Sequence, residues 1–134
     1  DEYAAQVSLE TLKAEADIIS LHLPLTEETH YIIDEKFIAS MKKNFYIINT
    51  ARGKNIKTKA LVESLKSGKI KGAALDVTEF EKPSFESLEN LNEDFKYLLT
   101  SEKVILTPHI AGWTVQSKEK LAQVIVDKIL NAFA

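Results

Sequence analysis

The chain carries one arginine, Arg52, and every other residue among its 17 Lys and Arg is a lysine. It stands three residues after Asn49, where the apolar run Tyr46-Ile47-Ile48 stops abruptly. Such a run reads as a strand buried on both faces of a parallel sheet. The carboxyl end of such a strand is where open α/β sheets place their ligand contacts. A lysine would supply charge there, but only arginine offers a planar fork matched to a carboxylate or phosphate. Taken singly, Arg52 equally fits a surface ion pair or a stem covering a helix end.

His109 is the strongest general acid/base candidate, because an imidazole titrates near neutrality. It lies between Pro108 and Ile110-Ala111-Gly112, a rigid and then permissive setting. Glu81 is placed to hydrogen-bond such a ring and fix its tautomer, although most glutamates in a chain this acidic are simply solvated. Asp76 ends the apolar stretch Ala73-Ala74-Leu75 and needs hydrogen-bond donors, from backbone or from a ligand amide. His22 fits the lining of a cofactor cleft, and His30 reads as surface or local packing.

These residues need elements that bring them together. A short helix over 8–16 capped by Ser8 precedes a strand over 17–23 closed by Pro24. Asp34 caps the next helix, whose apolar positions are Phe37, Ile38 and Met41. After the strand ending at Asn49 comes the clearest helix, 57–68, with Thr58 as its expected cap and Gly68 as its stop. A strand over 70–77 follows, its small residues Gly72-Ala73-Ala74 leaving room for a helix or ligand. Residues 78–102 are the least regular, a loop and then a locally packing stretch with helical turns. A fourth strand over 103–107 is stopped by Pro108, and Thr114 or Ser117 opens a long helix with a Leu121, Val124, Ile125, Ile129 stripe. This strand–helix rhythm predicts an α/β fold, a parallel sheet with helices on both faces. In such a sheet all carboxyl ends share one edge. His22, Arg52, Asp76, Glu81 and His109 then collect where binding occurs.

Composition narrows the alternatives. At 134 residues the chain is one domain by size, and 45% hydrophobic with 28% charged content is ordinary for a globular protein. A formal charge of -3 and no basic cluster argue against nucleic acid. The absence of cysteine removes disulfides, thiol catalysis and thiolate metal sites. No His or Glu/His spacing suggests a metal pair, and neither a serine elbow nor a Walker loop is present. No apolar run reaches membrane-spanning length and the first residues lack signal-peptide character, so a cytoplasmic address is the default.

Four blocks carry a resemblance: Ser20-Leu21-His22-Leu23-Pro24-Leu25-Thr26, Ile48-Asn49-Thr50-Ala51-Arg52-Gly53, Gly72-Ala73-Ala74-Leu75-Asp76-Val77 and Thr107-Pro108-His109-Ile110-Ala111-Gly112. In order and spacing the chain resembles the second half of the NAD-binding domain of the D-isomer-specific 2-hydroxyacid dehydrogenases. The family includes D-lactate, D-3-phosphoglycerate, glycerate/hydroxypyruvate and formate dehydrogenases. The resemblance implies a partial Rossmann-type sheet and an oxidoreductase moving hydride between NAD(H) and a D-2-hydroxy or 2-keto acid. It also implies that Arg52 binds the substrate carboxylate, His109 transfers the proton and Glu81 orients the histidine. Asp76 would receive the nicotinamide carboxamide, and His22, Pro24, Thr50, Ala51 and Gly112 would line the cofactor. Glu81, where formate dehydrogenases carry glutamine, favours a hydroxy acid, and D-3-phosphoglycerate is a mild favourite. A homodimer is implied, with no metal, nucleic acid or membrane partner. A regulatory or corepressor protein that senses NAD on the same fold is the competing reading.

Two departures stand out. The family's Glu-Pro is Glu81-Lys82-Pro83 here, with a lysine inserted. The Gly-x-Gly-x-x-Gly turn and the ribose-binding acid are missing from the sequence. Residues 1–134 are therefore expected to be a fragment, the second half of the domain, inactive alone and binding NAD weakly or not at all. The apolar stripe of the last helix is expected to be exposed and prone to associate in such a fragment. The residues that choose between NAD and NADP, and most of those that choose the substrate, lie outside this chain.

Overall fold

The computed structural model describes residues 5–80 and 92–133. Local signals set most helix ends. Ser8 caps α1 (Leu9–Glu15), its Oγ accepting the Thr11 N–H at 3.1 Å. Asp34 caps α2 (Glu35–Ser40), its carboxylate accepting the Phe37 N–H at 2.8 Å. Gly68 ends α3 (Thr58–Ser67) in the left-handed region, φ 79°, which a residue without Cβ enters at no steric cost. In the less regular region, Asn92 caps α4 (Glu93–Thr100). Thr114 rather than Ser117 opens α5 (Val115–Phe133), its Oγ1 accepting the Ser117 N–H at 3.0 Å.

Four strands, β1 (Ile18–Leu21), β2 (Phe45–Asn49), β3 (Ile70–Leu75) and β4 (Val104–Leu106), form one parallel sheet in the order β1-β2-β3-β4. The register aligns Ile19, Ile47, Ala73 and Val104 in one row and Leu21, Asn49, Leu75 and Leu106 in the next. These two rows line one face. With Ile38, Leu61, Leu65 and Leu98 from α2, α3 and α4 they make a single core. Phe45, Leu65 and Ile70 are completely buried there, each worth about 1.5–3 kcal/mol relative to exposure.

The opposite face corrects the expectation of a sheet covered on both sides. Its rows contain Ile18, Tyr46 and Ile105, which are 60%, 48% and 68% exposed. The strands run through the sheet in sequence order without a reversal. Same-handed crossovers between strands added in one direction put every crossover helix on the same face. A second helical layer requires strands added in the other direction, and none of the described residues provides them. The fold is thus α/β with a parallel, Rossmann-type sheet, and its helical layer is formed on one face. The small residues of β3 likewise serve the sheet itself: a Cβ on Gly72 would lie 3.1 Å from the Lys103 carbonyl and 3.3 Å from the Tyr46 ring.

Helix α5 has no buried residue, and its stripe of Leu121, Val124, Ile125 and Ile129 is exposed. Among the described residues no helix is long and apolar enough to cross a membrane.

Candidate active site at the carboxyl edge of the sheet

The edge is stitched together by main-chain hydrogen bonds. The Asp76 N–H donates to the Asn49 carbonyl at 2.9 Å, and the His109 N–H donates to the Asp76 carbonyl at 2.9 Å. The ends of β2, β3 and β4 are therefore joined in one line, with Arg52, Asp76 and His109 hanging from it. Adjacent strands lie about 4.8 Å apart, so β2 and β4 are separated by roughly 10 Å.

Buried asparagines hold the Arg52 turn. Asn49 accepts the Ala51 N–H at 3.0 Å and donates to the Arg52 carbonyl at 3.0 Å, while Asn55 accepts the Arg52 N–H at 3.1 Å. Asn55 also donates to the Thr29 carbonyl at 3.1 Å, tying the turn to the segment after β1. Both asparagines are at most 1% exposed, so their polar groups take backbone partners in place of water. The guanidinium is exposed and gives one N–H to the Ala51 carbonyl at 2.7 Å. Among the described residues no acid pairs with it, which leaves the rest of its donor fork for an anion.

Gly53 follows for a steric reason. A Cβ there would lie 1.8 Å from the Thr78 carbonyl oxygen and 2.7 Å from the Glu79 nitrogen. Both obstacles are backbone, so Gly53→Ala is expected to cost about 3 kcal/mol or to displace the turn. A denaturant midpoint unchanged from that of the native chain would contradict this contact.

His109 occupies the left-handed region at φ 55°, which costs a residue with a Cβ roughly 1–2 kcal/mol. Asp76 over-determines that conformation. Its Oδ1 accepts the Thr107 hydroxyl at 2.5 Å and the Ile110 N–H at 2.9 Å, and its Oδ2 accepts the Ala111 N–H at 2.9 Å. Of the two sources of donors open to Asp76 from sequence, the backbone supplies most. A carboxylate has about four acceptor positions, so one on Oδ2 remains for a further donor. The His109 ring is exposed.

Burial pushes the Asp76 carboxyl up, but the Thr107 hydroxyl, the Ala111 and Ile110 N–H groups and the charge of His109 outweigh it and hold the group below its ordinary value. A depressed carboxyl contributes stability that is full above the unfolded-state value, about 3.9, and is lost as pH falls through the folded one. The native chain is therefore expected to lose stability on acidification below about pH 4. Asp76→Asn should be less stable at neutrality and should show a shallower acid loss. Parallel pH profiles of denaturant midpoints for the two would contradict this.

One correction concerns the start of α3. Thr58 is its first residue rather than its cap, and Lys57 makes no side-chain cap bond. The missing acceptor comes from Glu79, whose Oε2 accepts the Thr58 N–H at 3.0 Å. Its Oε1 accepts the Tyr31 hydroxyl at 2.5 Å. Burial pushes the Glu79 carboxyl up, but the Tyr31 hydroxyl, the Thr58 donors and the charge of Lys54 outweigh it and hold it below its usual range. Neither Glu79 nor Tyr31 was evident from local pattern.

The remaining candidates distribute along the same edge. His22 is exposed one residue past β1, its Nε2 2.8 Å from the Ser20 hydroxyl, and Pro24 follows in the exposed connection. Thr50 is exposed and Ala51 buried in the Arg52 turn. Gly112 has open space where a Cβ would stand. His30 is exposed and packs locally, its ring tilted against that of Tyr31 at 3.9 Å. Glu81 lies outside the described residues. Among the described residues no group of three or more acids or histidines could hold a metal.

The sequence model described as D-isomer specific 2-hydroxyacid dehydrogenase, NAD binding domain, matches residues 1–111. The chain belongs to this family. It is 44% identical to the D-lactate dehydrogenase of Treponema pallidum over 124 residues, 90% of this chain and 38% of that protein. It is 43% identical to the hydroxypyruvate reductase of Thermotoga maritima over 93% of this chain and 39% of that protein. With the glyoxylate reductase of Thermococcus litoralis the identity is 45% over 98% of this chain and 36% of that protein. Among solved structures, the NAD-complexed D-isomer specific 2-hydroxyacid dehydrogenase of Lactobacillus delbrueckii ssp. bulgaricus superposes with TM-score 0.78 at 36% identity, over 93% of this chain and 40% of that one. The D-lactate dehydrogenase of Aquifex aeolicus, complexed with NAD and lactic acid, gives 0.74 at 41% identity, over 95% and 40%. The chain thus spans about two-fifths of the length of the relatives it matches.

Proposed function

We propose that residues 1–134 are the second half of the NAD-binding domain of a longer oxidoreductase, one that interconverts a small D-2-hydroxy acid and its 2-keto acid. The main-chain line from Asn49 through Asp76 to His109 supports this reading most directly, because the strand ends that carry Arg52 and His109 are joined through it on one edge of the sheet.

Open space at Gly112, the remaining acceptor on Asp76 and the exposed His22, Pro24 and Thr50 suit a nicotinamide and its ribose. Asp76 would take the carboxamide, with Ala51 closing the floor. NAD(H), when bound, supplies or accepts the hydride. Arg52 holds the substrate carboxylate through a two-pronged, charge-assisted pair and so orients the keto carbon. His109 gives its proton to the keto oxygen during reduction and takes it back from the hydroxyl during oxidation. Glu81 takes the part that the family resemblance gives it, orienting the imidazole. Without a pyrophosphate-binding turn, the isolated chain is expected to bind NAD weakly or not at all. We propose a homodimer as the assembly of the whole enzyme.

The test is NADH oxidation by the intact protein with glyoxylate, pyruvate, hydroxypyruvate and phosphohydroxypyruvate. Turnover of at least one supports the reading. No turnover of any, together with NAD-dependent binding of a protein partner, would favour a corepressor.

A further inference from the structure

We infer that Glu79 is a positioning residue for Arg52, locking the turn that carries the guanidinium against the loop that follows β3. The inference rests on the substrate-binding role proposed for Arg52.

Three segments meet at the Glu79 carboxylate. Its own loop follows β3, Thr58 opens α3, and Tyr31 belongs to the segment after β1. The two carboxylate oxygens are divided between the other two segments, Oε1 to the Tyr31 hydroxyl and Oε2 to the Thr58 N–H. Tyr31 is itself in the left-handed region, φ 53°, and its N–H donates to the Lys54 carbonyl at 2.8 Å. A non-glycine residue kept in that region marks a place where the surroundings over-determine the backbone. Here the surroundings are the Arg52 turn on one side and Glu79 on the other.

The mechanical link to Arg52 is Gly53. The main chain of Thr78 and Glu79 lies where a Gly53 Cβ would be, so the loop is a wall against which the turn rests. Pulling Glu79 away from Tyr31 and Thr58 removes the side-chain tie between this wall and the other two segments. Asn49 and Asn55 still hold the turn from the β2 side, so the turn is expected to loosen rather than unfold. A guanidinium displaced by a fraction of an ångström loses bidentate geometry before it loses charge. The effect should therefore fall on substrate binding and leave proton transfer at His109 intact.

The charge state of the clamp agrees with this arrangement. Hydrogen bonding to Glu79, burial and the negative charge of Glu79 all push the Tyr31 hydroxyl above its usual value. The phenol therefore remains a donor throughout the neutral range.

The experiment compares Glu79→Ala, Glu79→Gln, Tyr31→Phe and Arg52→Ala in the intact enzyme, using NADH and whichever 2-keto acid it turns over. Glu79→Ala is expected to raise KM for the keto acid about tenfold with kcat within about twofold and KM for NADH unchanged. Glutamine can accept the Thr58 N–H and donate to the Tyr31 oxygen, so Glu79→Gln should restore most of the native KM. Tyr31→Phe, a milder change that decides the matter if Glu79→Ala does not fold, should raise KM about threefold. An unchanged KM in both Glu79→Ala and Tyr31→Phe, with only a lowered melting temperature, would make Glu79 structural and overturn the inference. If Arg52→Ala also leaves KM unchanged, the role of Arg52 itself falls; if Arg52→Ala raises it steeply, only the part assigned to Glu79 fails.

Discussion

Replacing His109 by alanine is expected to lower kcat for 2-keto acid reduction about a thousandfold while leaving KM for the keto acid within a few-fold of native. The size follows from the step removed. A positioned acid that protonates the keto oxygen contributes roughly 10²–10⁴ in rate, and water is a poor substitute at neutral pH. The selectivity for kcat follows from geometry. His109 is anchored through its backbone, by its N–H to the Asp76 carbonyl and by the neighbouring Ile110 and Ala111 N–H groups to the Asp76 carboxylate. Removing the ring leaves that scaffold and the Arg52 turn in place. Because φ is 55° at this position, His109→Asn is the better-behaved control, asparagine tolerating left-handed backbone more readily. It should show the same loss of kcat with less loss of stability. Steady-state kinetics of the two variants check this.

The second large effect is expected from Arg52→Ala, a fall of about a thousandfold in kcat/KM carried mostly by KM. Two charge-assisted hydrogen bonds at about 2 kcal/mol each sum to about 4 kcal/mol, close to three powers of ten. Arg52→Lys should recover little, since a point charge cannot reproduce the planar fork. The fold should tolerate both changes, because the backbone of the turn is held by Asn49 and Asn55 and the guanidinium makes one bond, to Ala51. Kinetics with unchanged thermal stability would separate a binding role from a structural one. Equal, small changes in kcat and KM for both the Arg52 and His109 variants would contradict both assignments.

What could be read from sequence, and what could not, divides along distance in the chain. Asp34 as a cap, Gly68 as a stop and the four strands are local signals, written in residues within a few positions of the feature they set. The shared edge of Arg52, Asp76 and His109 was also legible, because a parallel sheet obliges every strand to end on the same side. The bare face of β2 was not. Tyr46 and Ile48 look apolar enough to be covered, and whether they are depends on the direction in which strands are added, a property of the whole sheet. Nor was the cap of α3, where the local candidate Thr58 lost to Glu79, 21 positions away. The pairing of Tyr31 with Glu79 spans 48 positions. A glutamate in an acidic loop carries no mark that distinguishes a clamp from a solvated side chain. Gly53 was the one visible hint, a glycine directly after the only arginine.

The measurement that bears most directly on this account is a crystal structure of the intact enzyme with NADH and oxamate, a stable mimic of a 2-keto acid. The oxamate carboxylate should lie about 3 Å from two nitrogens of Arg52, with the adjacent carbonyl oxygen about 3 Å from a ring nitrogen of His109. Oxamate bound elsewhere, or bound with Arg52 turned away from its carboxylate, would contradict it.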